Sequence, residues 1–276
     1  MIAAAATFAA TAALVKELGD SGVSSFQTVF VRAVVGLLVV GPLLWRRRIA
    51  PWRTNHLKLH LSRAVTGGLG VTIGFYAFTV LPLATATAIN FTVPLFVTVL
   101  ACFILKETVG WRRWAATAVG FGGVLVMMRP GSASFDPAAL LVLVQAFCIA
   151  LSVGLVKSFP RGESQLSMLA FTFVSSGLFS VWPAMTDWQA PDARQLVLLA
   201  GVAAIGITAQ ACVLRAYRLG EASYIAPLTY IRLIFAGLLG AMFFDEYPDI
   251  WTWFGAAVIV AAALYTVRRT GGSAGG

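Results

Sequence analysis

The stretch Leu81-Pro-Leu-Ala-Thr-Ala-Thr-Ala-Ile-Asn90-Phe-Thr-Val-Pro94, running on to Lys106 and Glu107, decides how the rest of the chain is read. It is apolar and long enough for a helix that crosses a bilayer, roughly 20 residues, yet Pro94 sits near its middle and Asn90 one turn earlier. Pro94 donates no backbone hydrogen bond and its ring clashes with the Asn90 carbonyl, so a break is expected there. Polar backbone freed at that depth is tolerated only where protein or a water-filled cavity satisfies it. Thr87, Asn90, Pro94 and Thr98 recur at helical spacing, so their face should look into the protein and not at lipid. Polar contacts between neighbouring helices would place these residues in the same way.

The stretch occurs twice. A shift of 139 positions places Ala77 on Ala216, Phe96 on Phe235, Leu100 on Leu239, Glu107 on Glu246, Trp114 on Trp253, Ala118 on Ala257, Leu125 on Leu264 and Arg129 on Arg268. Matches of Ala and Leu arise by chance between apolar segments, but Glu, Trp and Arg at one constant offset do not. This is an internal duplication, a common construction of secondary transporters.

Composition places the chain in a membrane. Of 276 residues, 59% are hydrophobic and only 11% charged, against about 25% charged in soluble proteins. The net charge of +9 would suggest nucleic acid in a soluble domain, but here the basic residues lie in short loops between apolar runs, and no nucleic-acid partner is expected. Cys102, Cys148 and Cys212 are scattered one to a run without metal or disulfide spacing and read as packing residues.

Ten apolar runs are bounded by charge, Pro or Gly: Ile2–Leu18, Val23–Trp45, Leu57–Val80, Pro82–Leu105, Val109–Met128, Ala138–Val156, Ser164–Met185, Leu196–Arg218, Glu221–Phe244 and Ile250–Val267. The expected fold is an all-α integral membrane protein, ten transmembrane helices in two inverted five-helix repeats around a central cavity. The expected boundaries are 1–129 for the first repeat, 130–137 for the linker, 138–269 for the second repeat and 270–276 for a flexible tail. The first run is short and begins almost at Met1, as if its helix lacked a turn; a cleaved signal peptide fits less well, because no basic region precedes it.

Loop charges set the topology. Arg46, Arg47, Arg48, Arg53, Lys58, Arg63, Lys106, Arg112, Arg113, Lys157, Arg161, Arg215, Arg218, Arg268 and Arg269 lie on one side, against Lys16, Arg129 and Arg194 on the other, where most acids gather. This asymmetry puts both termini in the cytoplasm of a bacterial-type inner membrane. An odd number of spans per repeat then inverts the second copy, with Glu107 on the basic side and Glu246 on the acidic side.

Within the runs, only Arg32 and Arg232 read as intramembrane charges, and both are candidate charge contacts for a solute. Every Asp and Glu lies in a loop or at the end of a run, so no proton relay is visible and an obligatory ion gradient is not expected. Tyr76, Thr87, Asn90, Gln145, Gln210, Tyr217, Tyr224 and Tyr230 are the candidate substrate-binding residues, because a cavity with aromatic walls and a few amide or hydroxyl groups suits a mostly apolar small molecule. Pro94 and Pro227 are the candidate hinges. Gly67, Gly70, Gly74 and Ala77 form a small-residue stripe for close helix approach. His56 and His60, spaced i, i+4, lack a third ligand type nearby and read as an interfacial helix touching headgroups, so no metal is expected. The chain carries no HExxH, Walker A or GxSxG motif, and neither an enzyme nor a cofactor is expected.

Arg32, Pro94 with Phe96, the close on Leu105-Lys106-Glu107, Trp114, Gly120 and Gly122, and a second copy closing on Phe244-Asp245-Glu246 with Trp253 together resemble the EamA-type drug/metabolite transporter superfamily. As a whole the chain is similar to the YddG-type exporters of aromatic amino acids. The resemblance implies a central cavity and alternating access that moves metabolites across the inner membrane, mostly outward. It implies a small-molecule substrate and the lipid bilayer as partners, and names no oligomeric partner. A carrier of phosphorylated or nucleotide-linked solutes is the rival within transport, and a channel or membrane scaffold the rival outside it. The chain departs from the pattern at Leu233, which aligns with Pro94; Pro227 comes earlier and should move the second kink toward its helix start.

Overall fold

In the computed structural model, residues 2–51, 54, 56–104, 110–129, 136–156, 159, 164–219 and 231–272 are described. Their helices are α1 (Ile2–Asp20), α2 (Ser25–Arg46), α3 (Leu57–Val80), α4 (Leu83–Asn90), α5 (Val93–Ile104), α6 (Trp111–Met128), α7 (Ala138–Val156), α8 (Gln165–Thr186), α9 (Ala193–Leu219), α10 (Ile231–Phe243) and α11 (Ile250–Gly272). Helices α4 and α5 together form the fourth span, and α10 belongs to the ninth. Among the described residues, four stretches are by themselves long and apolar enough to cross a membrane, Ser25–Arg46, Leu83–Leu100, Ala138–Leu155 and Leu166–Thr186. The protein is all-α, a bundle of ten membrane helices in two inverted repeats.

The inversion is visible in how equivalent helices cross. The fifth helices of the two repeats, α6 and α11, lie against each other with residue numbers rising on one as they fall on the other: Met127 faces Gly255, Gly123 faces Val258, and Gly120 faces Ala262. The second helices behave alike, Gly36 of α2 meeting Phe173 of α8 and Ala33 meeting Gly177. Copies that meet their own equivalents head to tail are related by an axis in the membrane plane. These crossings are close. A β-carbon at Gly255 would stand 2.6 Å from the Gly123 carbonyl oxygen, so a side chain there forces two backbones apart.

The stripe on α3 packs as its composition suggests. Gly67, Gly70 and Gly74 receive Ser152, Ile149 and Gln145 of α7, again in antiparallel order. The first helix of each repeat is thus inserted into the other repeat, α7 against α3 and α5, and α1 against α9 and α10.

The two ends of the bundle differ in how their helices begin. At the acidic end the N-termini are capped by side chains. Ser24 accepts from Phe26 N at 3.3 Å, Asp136 from Ala138 N at 2.8 Å, Asp192 from Gln195 N at 2.7 Å and Asp249 from Thr252 N at 2.8 Å. Asp192 and Gln195 close a reciprocal capping box through Asp192 N and Gln195 Oε1 at 2.9 Å. Helices α3, α6 and α8, which start at the basic end after His56, Gly110 and Ser164, have no side-chain cap. Acids favour helix N-termini through the orphan N–H groups and the helix dipole. Three of the acids read from sequence as a topology signal, Asp136, Asp192 and Asp249, are therefore also helix starts.

One expectation is corrected. His60 does not face headgroups: it is buried at 1% exposure, with Phe159 edge-on at 4.6 Å and Phe171 stacked at 5.0 Å. Ring contacts with Phe159 and Phe171 draw it inward, while His56 stays exposed. No cluster of metal-ligating side chains occurs among the described residues.

Candidate functional site

The fourth span breaks where its sequence demands. Helix α4 ends at Asn90, and Phe91 and Thr92 tighten the chain into i to i+3 bonds, Phe91 N to Ala88 O at 3.1 Å and Thr92 N to Ile89 O at 2.9 Å. Helix α5 then starts so that Pro94 lies in its first turn, where a missing N–H is harmless. The Thr92 carbonyl accepts from Leu95 and Phe96, and the Thr92 hydroxyl donates to Ile89 O at 2.7 Å. These bonds satisfy part of the backbone that the break frees. Thr87 and Thr98 are buried, Thr98 donating to Pro94 O at 3.1 Å, while Asn90 and Pro94 are half-buried. The Asn90 side chain makes no hydrogen bond among the described residues.

Two guanidinium groups lie between the repeats. Arg32 of α2 stands over the Phe75 ring of α3 at 5.3 Å and the Phe173 ring of α8 at 5.6 Å, beside Gly206 of α9. Its Nε is buried and meets no acceptor among the described residues. Arg232 of α10 stands over Phe91 at 5.4 Å and Phe8 of α1 at 5.8 Å, next to the break in the fourth span. No carboxylate pairs with either among the described residues. Aromatic faces stabilise a desolvated cation by about 0.5–2 kcal/mol, yet leave its N–H groups available to an acceptor.

Lys16 is also inside, which the sequence reading missed by counting it among the loop charges. Its Nζ pairs with Glu246 Oε1 at 2.7 Å, with side chains only 11% and 15% exposed. It donates to the Leu81 carbonyl at 3.2 Å and lies over the Phe244 ring. Glu246 Oε2 accepts from Leu83 N at 2.8 Å, which caps α4 in place of a local side chain. The signal was available in part: Glu246 belongs to the duplicated pair, but nothing in sequence matches it with Lys16.

The remaining candidates separate. Gln145 packs against Gly74 of α3, 8% exposed, in a helix contact. Tyr76 is 37% exposed and stacks on Phe26. Gln210 and Tyr217 lie on α9, in a part whose side chains fall outside the described residues, as do Tyr224, Pro227, Tyr230 and Glu107 altogether. The structure therefore brings Arg232, the Asn90 break and α1 together, and Arg32 to the adjoining α2–α3–α8–α9 interface. A cavity of about 430 Å³ opens at the acidic end over Leu81, Thr85, Arg129, Asp136, Glu246 and Asp249.

The profile of the EamA-like transporter family matches residues 1–129 and 136–268, one copy in each half. The chain belongs to the EamA-like transporter family. It is accordingly a multi-pass membrane transporter and not an enzyme. It is 32% identical over 243 residues to an S-adenosylmethionine uptake transporter of Rickettsia prowazekii, covering 88% of this chain and 83% of that one. It is 30% identical over 285 residues to a riboflavin transporter of Brucella anthropi, covering 99% of both. A pseudopaline exporter of Pseudomonas aeruginosa is 27% identical over 275 residues, covering 98% and 95%. A crystal structure at 17% identity superposes with a TM-score of 0.59 over 99% of both chains, which supports the fold alone. These EamA relatives differ in solute and direction, and the amino-acid export implied by the sequence resemblance is not among their names.

Proposed function

We propose that this transporter is an inner-membrane carrier, with its basic face and both termini in the cytoplasm, for small metabolites that join a carboxylate to a flat aromatic or apolar body. Aromatic amino acids and their larger conjugates are the favoured solutes. The observation that carries this reading is the pair of guanidiniums, Arg32 and Arg232, each held by two phenylalanine rings between the repeats and paired with no acid among the described residues. A guanidinium recognises a carboxylate through two parallel N–H bonds, and the rings beside it offer faces to a planar solute. S-adenosylmethionine, named for one relative, combines an amino-acid end with a purine ring and fits the same description.

The carrier works by alternating access, and the solute's own gradient sets the direction, outward when it accumulates inside. Among the described residues, neither boxed arginine has a neighbouring carboxylate that would bind a coupling ion more tightly in one state than in the other.

The test is counterflow into liposomes bearing the purified protein, with phenylalanine, S-adenosylmethionine, riboflavin and a sugar phosphate as solutes. Saturable exchange of a carboxylate-bearing ring compound, without a pH or sodium gradient and lost in Arg32→Met, is expected. Exchange confined to riboflavin or to the sugar phosphate overturns the solute class. Flux that rises linearly without saturation overturns the carrier.

A further inference from the structure

We propose that the Lys16–Glu246 pair is the latch of the gate at the acidic end: it holds α1, the start of α4 and the end of α10 together, and must open before that end can admit a solute. The inference rests on alternating access alone and not on the solute class.

Three elements converge on one ion pair because of what the local sequence lacks. The α3–α4 junction is Leu81-Pro82, and Pro82 has no N–H, so Leu83 carries the first orphan donor of α4. Glu246 takes that donor at 2.8 Å, while Lys16 takes the Leu81 carbonyl at 3.2 Å. The junction is thus gripped on both sides of the proline by two residues that grip each other at 2.7 Å. Asp245, in the left-handed region at φ 52°, reverses the chain after α10 and turns Glu246 back toward the bundle. Gly240 leaves the room: its carbonyl accepts from Phe244 and Glu246, and a β-carbon there would lie 3.1 Å from the Glu246 carboxylate.

Beneath the pair, Ala12, Leu83 and Ala236 seal α1, α4 and α10 with apolar contacts, with Phe244 and Leu239 packed alongside. Separation of α10 from α1 and α4 exposes that seal and requires the carboxylate to leave both partners. The latch also meets the break in the fourth span, since α4 is a rigid eight-residue rod from Leu83 to Asn90. Movement at the capped end is delivered to Asn90 and Phe91, and Phe91 lies under Arg232. Arg232 and the latch therefore sit at opposite ends of one short helix. The cavity at the acidic end is lined by Leu81, Pro82 and Glu246, so the latch faces it directly.

The experiment reads conformation and not flux. Full-length protein carries serine at positions 102, 148 and 212 and Ala236→Cys, a position with 0% exposure beneath the pair. It is reconstituted in permeabilised liposomes and treated with N-ethylmaleimide. Modification is expected to be slow in this parent and about tenfold faster in Glu246→Gln, as the open state gains population. Lys16→Met gives the same reading should Glu246→Gln not fold. Gly255→Ala, which strains the remote α6–α11 crossing, is expected to stay within about twofold of the parent while lowering thermal stability. A parent rate in the latch variants overturns the proposal, as does equal acceleration by Gly255→Ala, which would mark general loosening. Failure of the solute reading leaves these rates unchanged.

Discussion

Lys16 and the two boxed arginines are all cations inside the bundle, and they are held in opposite ways. Lys16 has a carboxylate at 2.7 Å and a carbonyl at 3.2 Å. Arg32 and Arg232 have only phenylalanine faces among the described residues. The first arrangement spends the charge within the protein and joins three elements. The second leaves charge and N–H groups available at the place where the repeats meet. A paired cation ties structure together, whereas a boxed one remains ready for a ligand.

The largest expected effect breaks the paired side of this comparison. Glu246→Ala strands Lys16 in the bundle and leaves Leu83 N uncapped, and should cost about 3–5 kcal/mol of stability, visible as a marked fall in the melting temperature of the detergent-solubilised protein. The double variant Lys16→Met/Glu246→Leu removes both charges and should recover all but about 1 kcal/mol, the remaining loss being the cap. Additive losses would show that the two residues do not act as a pair.

The boxed side should respond in the reverse sense. Arg32→Met is expected to leave melting temperature unchanged or raised, since a desolvated cation is removed, while a carboxylate-bearing solute binds roughly tenfold to a hundredfold more weakly, the equivalent of one charge-assisted hydrogen bond. Ligand-induced thermal stabilisation checks both halves at once. A variant that is destabilised yet still protected by ligand would make Arg32 a structural residue.

Exposed ion pairs at the same end sharpen the contrast. Arg194–Glu17 joins α9 to α1 with the arginine side chain 71% exposed, so Arg194→Ala should cost less than about 1 kcal/mol. The smallest effect belongs to Asp249, whose carboxyl is held below the ordinary range by the Thr252 hydroxyl first, with burial opposing and the Thr252 N–H and Arg129 assisting. A depressed folded-state value gives stability that is present at neutral pH and lost as pH falls through it, below about pH 4. Melting temperature against pH should show a shallow decline there, and Thr252→Ala should reduce it.

Much of this was legible in the chain. The ten apolar runs and the break at Pro94 follow from local chemistry, because a missing N–H and a clashing ring act on neighbours four residues away. Small residues at helical spacing on α3 foretold a close crossing, and Gly74 meets Gln145 there. The amphipathic reading of His56 and His60 failed for His60, because Phe159 and Phe171 come from distant sequence. Gln145 and Tyr76 were grouped with Asn90 by residue type, and type does not say which neighbour a helix face meets.

The membrane class, the duplication, the odd number of spans per repeat that inverts the second copy, and the two intramembrane arginines each follow from composition, periodicity or local sterics along the chain. The buried pairing of Lys16 with Glu246, 230 positions apart, and the rings that enclose Arg32 and Arg232 come instead from the packing of distant helices. The reason is physical: a helix period fixes the side of a helix on which a charge lies, but the desolvation that makes it a latch or a binding group comes from whichever other helix packs over it.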